Sequence, residues 1–190
     1  MCFLLLFAAF VTIQVLIGGT RMIFSLPSYA AVAVAGIVAV FGFRHEKPLP
    51  GRICLITTAI CFTYILGRAF TSPLPYIARS DIYSVLAGLV VYFIVACVLT
   101  SPKQRLAFIV CLLAVATAHV FVGALQFRDG TNFMPISWLR RYDYGSRASG
   151  FYVCPNHLAG LLEVLGIFGL SIACWSRWPV WSKLLVGYAV

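Results

Sequence analysis

The sequence predicts an all-α integral membrane protein, a multi-pass bundle of about six complete transmembrane helices followed by the start of a seventh. Three observations carry this expectation. Of 190 residues, 62% are hydrophobic and 10% are charged, against roughly 45–50% and 25% in soluble domains. The apolar residues fall in runs close to the ~20 needed for a helix to cross the hydrocarbon layer. Those runs are nearly free of charge, and basic or Pro-rich pieces separate them. Backbone in lipid must satisfy its own hydrogen bonds, so uncharged runs of this length read as helices and not as the alternating strands of a barrel.

Taken in order, the first run covers residues 2–19 and stops before Arg21. The second, 26–43, places Pro27 near its first turn, where proline is tolerated. A polar piece from Arg44 through His45 and Lys47 closes it. The third, 53–70, has Arg68 near enough to its end to snorkel. The fourth is 82–100, and residues 101–105 are expected to turn tightly into the fifth, 106–127. A polar loop at 128–150 leads to the sixth, 156–175. A seventh begins at 184 and is cut off at Val190, so the chain is expected to be a single transmembrane domain and a piece of a longer protein.

The net charge is +9, from fourteen Lys and Arg against five Asp and Glu. No basic stripe on one face points to nucleic acid; the charges punctuate the apolar runs and read as orientation signals and contacts with membrane lipids. All three lysines, Lys47, Lys103 and Lys183, fall in alternate loops, with Arg44, Arg52, Arg105 and Arg177. The other side carries an equal number of basic residues, all arginine, but Arg128, Arg140, Arg141 and Arg147 share one long loop. Short loops set orientation, so the lysine side and the N-terminus are expected in the cytoplasm and the 128–150 loop outside. The seven cysteines form no C-x-x-C pair and read as small apolar packing residues. Met1–Phe10 has no basic segment of the signal-peptide kind. No cluster has metal-ligand spacing, and no cofactor is expected.

The stretch with the most chemistry is Arg147-Ala-Ser-Gly-Phe-Tyr-Val-Cys-Pro-Asn-His-Leu-Ala-Gly-Leu-Leu-Glu163. Gly150 permits a turn that other residues resist, and Asn156 after Pro155 is a good N-cap. An arginine beside a helix N-terminus makes an anion site, since the helix end presents free N–H groups and partial positive charge. The planar guanidinium fork suits phosphate. The bland alternative pairs Asp129 and Asp143 with two of the loop arginines. Asn156, Gly160, Glu163 and Ile167 follow helical spacing on one face, polar and small enough to pack against other helices or line a cavity. A carboxyl within a membrane helix costs at least ~2.5–3.5 kcal/mol on insertion scales, which makes Glu163 a functional candidate. His157 is a weaker catalytic candidate, His119 reads as an interhelical polar residue, and His45 as a solvated one. Phe133, Trp138, Tyr142, Tyr144, Phe151 and Tyr152 suit an interfacial belt or, less simply, stacking on sugars.

The Arg-x-x-Gly…Pro-Asn-His-x-Ala-Gly-x-x-Glu pattern resembles the motif of the O-antigen ligase and O-antigen polymerase family of bacterial envelope glycosyltransferases, including those of lipopolysaccharide biosynthesis. The likeness covers about seventeen residues; elsewhere it is one of hydropathy. It implies an inner-membrane enzyme that transfers a glycan from an undecaprenyl-diphosphate carrier to an acceptor hydroxyl on the external face, without metal or nucleotide sugar. By the motif match Arg147 is the diphosphate-binding arginine, with Arg140 and Arg141 weaker candidates. In the family a second large external loop supplies a further arginine and a histidine, and it would follow Val190. The chain as it stands is therefore expected to hold half an active site and to be inactive alone. The competing class is a solute or anion transporter, in which Glu163 and His119 would couple ions. Such a protein should show inverted repeats, and none is visible.

Overall fold

The computed structural model describes residues 1–16, 18, 21–42, 50–99, 101–131, 133–139 and 147–189. Among them all the long elements are helical: α1 (Cys2–Val15), α2 (Met22–Phe41), α3 (Arg52–Phe70), α4 (Pro75–Phe93), α5 (Pro102–Asp129), α6 (Pro155–Trp175) and α7 (Val180–Ala189). A π-helical stretch, Ile94–Val98, continues α4, and a short 3₁₀ turn covers Ser137–Leu139. Five helices are long and apolar enough to cross a membrane: α2, α3, α4 with its extension, α5 and α6. The chain is an all-α, multi-pass membrane protein in contact with lipid.

The expected spans shift at their ends, for reasons that recur. The run at 2–19 yields 14 helical residues, about 21 Å at 1.5 Å each and short of the ~30 Å hydrocarbon core. Gly18, with φ 62°, lies in the left-handed region soon after α1 ends. Helix α2 starts at Met22, so Pro27 is its sixth residue and not part of its first turn. Helix α4 starts at Pro75, seven residues before the start expected at 82. Helix α5 starts at Pro102, so most of the turn expected at 101–105 is helical. Helix α7 starts at Val180, which places Lys183 in its first turn and not in a loop; the N–H groups of Ser182 and Lys183 donate to the Pro179 carbonyl (3.0 and 3.3 Å). Proline is pre-organised for a first helical turn, and hydropathy alone misses polar first turns that a proline opens.

The chain divides into two compact units, one of residues 1–12 and 25–105, the other of 13–24 and 106–190. In the first, Leu6, Ala9, Val32, Ala35, Ala39 and Ile94 are buried. The Ser28 hydroxyl of α2 donates to the Ala9 carbonyl of α1 (2.7 Å). Helix α2 comes so near α4 that a Cβ on Gly36 would lie 2.7 Å from Val90 Cγ1. Arg105 caps the end of the π-helical stretch, its Nε donating to the Leu99 carbonyl at 2.6 Å, a basic side chain at a helix C-terminus where carbonyls lack partners. No disulfide joins the cysteines; Cys97 is buried, and Cys54, Cys61 and Cys174 are exposed on the helix surfaces.

In the second unit, Leu113 and Ala116 of α5 pack on Leu165 and Ile172 of α6, with Trp178 against them. Helix α5 ends in a Schellman arrangement: Gly130 takes φ 61° and the Thr131 N–H donates to the Gln126 carbonyl (3.2 Å), which satisfies a carbonyl the helix leaves orphaned. Beyond it, Met134 and Leu139 are buried against Phe24, Ile136 and Val153. The loop expected to be polar thus carries a small apolar core of its own.

Candidate functional site

The segment from Arg147 to Cys154 is held on α5 by a row of three residues. His119, Gly123 and Gln126 stand four and three apart and share one helix face. His119 and Gln126 are fully buried. Gly123 lets the loop lie close: a Cβ there would sit 3.4 Å from Ala148 Cβ and 3.6 Å from Gly150 N.

Gln126 does most of the holding. Its Nε2 donates to the Phe133 carbonyl (2.7 Å) and the Gly150 carbonyl (2.9 Å). Its Oε1 accepts from Ser149 N (2.9 Å) and Gly150 N (3.1 Å). Both amide hydrogens and both lone pairs are in use, so the side chain has one orientation that works. The Ser149 hydroxyl, also buried, lies 2.9 Å from the Tyr152 carbonyl and 3.3 Å from Gln126 Oε1. Gly150 turns with φ 59°, as its position in the motif predicts, and a Cβ there would come within 2.7 Å of His119 Nδ1. His119 Nδ1 accepts from Phe151 N at 3.3 Å.

That last bond fixes the imidazole tautomer. A neutral ring whose Nδ1 accepts carries its proton on Nε2, and His119 Nε2 is buried with no partner among the described residues. Gln14 Oε1 is in the same condition. The expected interhelical histidine is therefore half satisfied. Phe151 and Tyr152 pack on the His119 ring, with centroids 4.7 and 4.8 Å away. These two aromatics turn inward and do not join an interfacial belt; Tyr152 is buried. Burial pushes the Tyr152 phenol above its usual range, and a hydrogen bond with Gln14 opposes the shift. Phe133 is exposed. Tyr142, Tyr144, Asp143, Arg140, Arg141 and the side chain of Trp138 lie outside the described residues, as do Arg44, His45 and Lys47.

Arg147 is exposed, two residues ahead of the buried Ser149. Among the described residues it has no acidic partner. Arg128 does: its Nε meets Asp129 Oδ1 at 2.6 Å, so it follows the bland alternative of a solvated ion pair. Helix α6 is capped at Cys154, with Pro155 its first residue. Asn156 is thus two positions too late to act as the N-cap, because the proline ahead of it already supplies the helical φ. His157 is exposed in the first turn, edge-on to Tyr152 with ring centroids 6.2 Å apart. Asn156, Gly160, Glu163 and Ile167 are all exposed, and nothing described lies within 4 Å of where a Gly160 Cβ would be, so the packing expected of this face is not seen among the described residues. Among the described residues no three His, Cys, Asp or Glu side chains gather as metal ligands would.

The residues that sequence reasoning missed are Gln126 and Ser149. A signal for Gln126 was present: a second polar residue seven positions after His119 in an apolar helix, with glycine between. Polar side chains inside membrane helices turn to partners, since hydrocarbon offers none. No family model, no curated protein and no solved structure matches this chain, so the functional reading rests on the chemistry of the site.

Proposed function

We propose that this chain belongs to a bacterial inner-membrane transferase that moves a glycan from an undecaprenyl-diphosphate carrier, with Arg147 gripping the diphosphate. The N-terminus lies in the cytoplasm and the Arg147 loop faces outward. The observation that supports this reading is the contrast within a few residues. Ser149 to Tyr152 is fastened by buried hydrogen bonds, while Arg147 beside it is exposed with no acidic partner among the described residues. A free guanidinium on a fixed loop is preorganised for an anion, and neutralising a departing diphosphate stabilises charge where it develops. Arg140 and Arg141 would add positive charge to the same loop, and His157 and Glu163 are the candidates for proton transfer.

The test is binding before turnover. The full chain in nanodiscs is titrated with undecaprenyl diphosphate, undecaprenyl monophosphate and undecaprenol. Preference for the diphosphate is expected, and Arg147→Ala should weaken it roughly ten- to a hundredfold, the range of one charge-assisted hydrogen-bonded contact. Equal affinity for undecaprenol and the diphosphate, or an unchanged Arg147→Ala variant, refutes the reading. Anion uptake into proteoliposomes without diphosphate preference would favour a transporter.

A further inference from the structure

The turn between α3 and α4, in the first unit, frames an open cleft of about 280 Å³ lined by Ile65, Arg68, Ala69, Ser72, Leu74, Ile77, Ala78 and Asp81. Its walls carry one charge of each sign. Arg68 stands two residues before the end of α3, and Asp81 six residues after the start of α4. They line one cavity, yet neither forms an ion pair among the described residues. Ala69 and Ala78 are its buried floor. The Ser72 hydroxyl accepts from Leu74 N (3.3 Å) and keeps its own proton to donate.

The geometry points to a binding site for a phosphoethanolamine group, carried as the headgroup of a membrane lipid. An anion alone would meet the Asp81 carboxylate, and a cation alone would meet the Arg68 guanidinium; a compact zwitterion satisfies both. Arginine matches phosphate oxygens in two-point geometry, and a primary ammonium has three hydrogens to give a carboxylate. A quaternary choline has none. The size suits a headgroup, with about 280 Å³ between the two charges and the alanine floor. Its rim suits a bilayer, since Leu74 and Ile77 are exposed there beside exposed Phe70 and Tyr76, the apolar and aromatic mixture of a membrane interface. Arg68 lies in the last turn of α3 and Asp81 in the second turn of α4, on either side of the turn that joins them, so both belong toward headgroup level. This site stands independently of the glycan-transfer reading.

The full chain, purified in detergent micelles, is titrated with short-chain phosphatidylethanolamine, phosphatidylcholine and phosphatidylglycerol, and separately with free phosphoethanolamine. Phosphatidylethanolamine should bind at least about tenfold tighter than the other two lipids, the worth of one charge-assisted hydrogen bond. Asp81→Asn should erase that preference, Arg68→Gln should weaken all three lipids, and Ala78→Leu should block the cavity with both charges intact. Circular dichroism checks that each variant keeps its helices. Free phosphoethanolamine binding as tightly as the lipid keeps the zwitterion chemistry and overturns the lipid source. Equal affinity for phosphatidylglycerol and phosphatidylethanolamine, or an Asp81→Asn variant that retains the preference, overturns the site.

Discussion

Replacing Gln126 by leucine keeps the volume of the side chain and removes every hydrogen bond it makes. Two backbone donors, Ser149 N and Gly150 N, lose their acceptor, and the Phe133 and Gly150 carbonyls lose their donor. Each buried donor left without a partner costs about 1–3 kcal/mol, so the two N–H groups alone set a penalty of roughly 2–6 kcal/mol. Carbonyls tolerate the loss better, and the Ser149 hydroxyl retains the Tyr152 carbonyl. A loop facing that penalty opens to find water. Opening made easier by ~2 kcal/mol speeds exchange of the affected amides about thirtyfold. The assay is hydrogen–deuterium exchange of the full chain in micelles, read over residues 147–154 and, as an internal standard, over α6. Gln126→Leu should accelerate exchange at Ser149 and Gly150 and leave the middle of α6 unchanged. Exchange over 149–152 within about threefold of native in Gln126→Leu would refute the claim that this side chain holds the loop.

Three further outcomes are expected. Gly150→Ala should destabilise the chain by at least 1–2 kcal/mol, the cost of a left-handed backbone for an L-residue, plus the collision of its Cβ with His119; a lowered unfolding midpoint in micelles checks it. Gly36→Leu should separate α2 from α4, since even a Cβ there meets Val90 at 2.7 Å, and a disulfide-trapping assay between cysteines placed on those helices should lose its product. Burial holds the Tyr152 phenol neutral. A pKa raised in the folded state gives stability that is fully present below pH ~10 and is lost as pH rises toward the folded value. Tyr152→Phe should therefore unfold less steeply than the native chain above pH ~10 when the two are compared by circular dichroism.

The existence and type of the long helices were legible because lipid leaves no other choice for a long uncharged run. Their ends were not, because Pro75, Pro102 and Pro179 open or precede polar first turns that hydropathy counts as loop. Gly130 was a readable stop signal for α5, placed where a left-handed residue closes a helix. The motif segment was legible at Gly150, whose turn follows from its identity. Asn156 misled, since the cap fell two residues earlier at Cys154. What no local pattern contained was the partner of the loop. Gln126 meets Ser149 across 23 residues of sequence, and such a pairing is visible only once α5 has been folded beneath it.

Gln126 has one more consequence, and it concerns how this protein tolerates change. Its backbone carbonyl closes α5, and its side chain grips both Phe133 and the Ser149–Gly150 turn. The two ends of the excursion between them are thus tied at a single point. Doubling the length of a loop fixed at both ends costs only about 0.6 kcal/mol of closure entropy. Changes inside the excursion, away from the buried Met134 and Leu139, therefore leave the Ser149–Gly150 anchor in place. An anchor at one residue lets the rest of the segment change without releasing its ends.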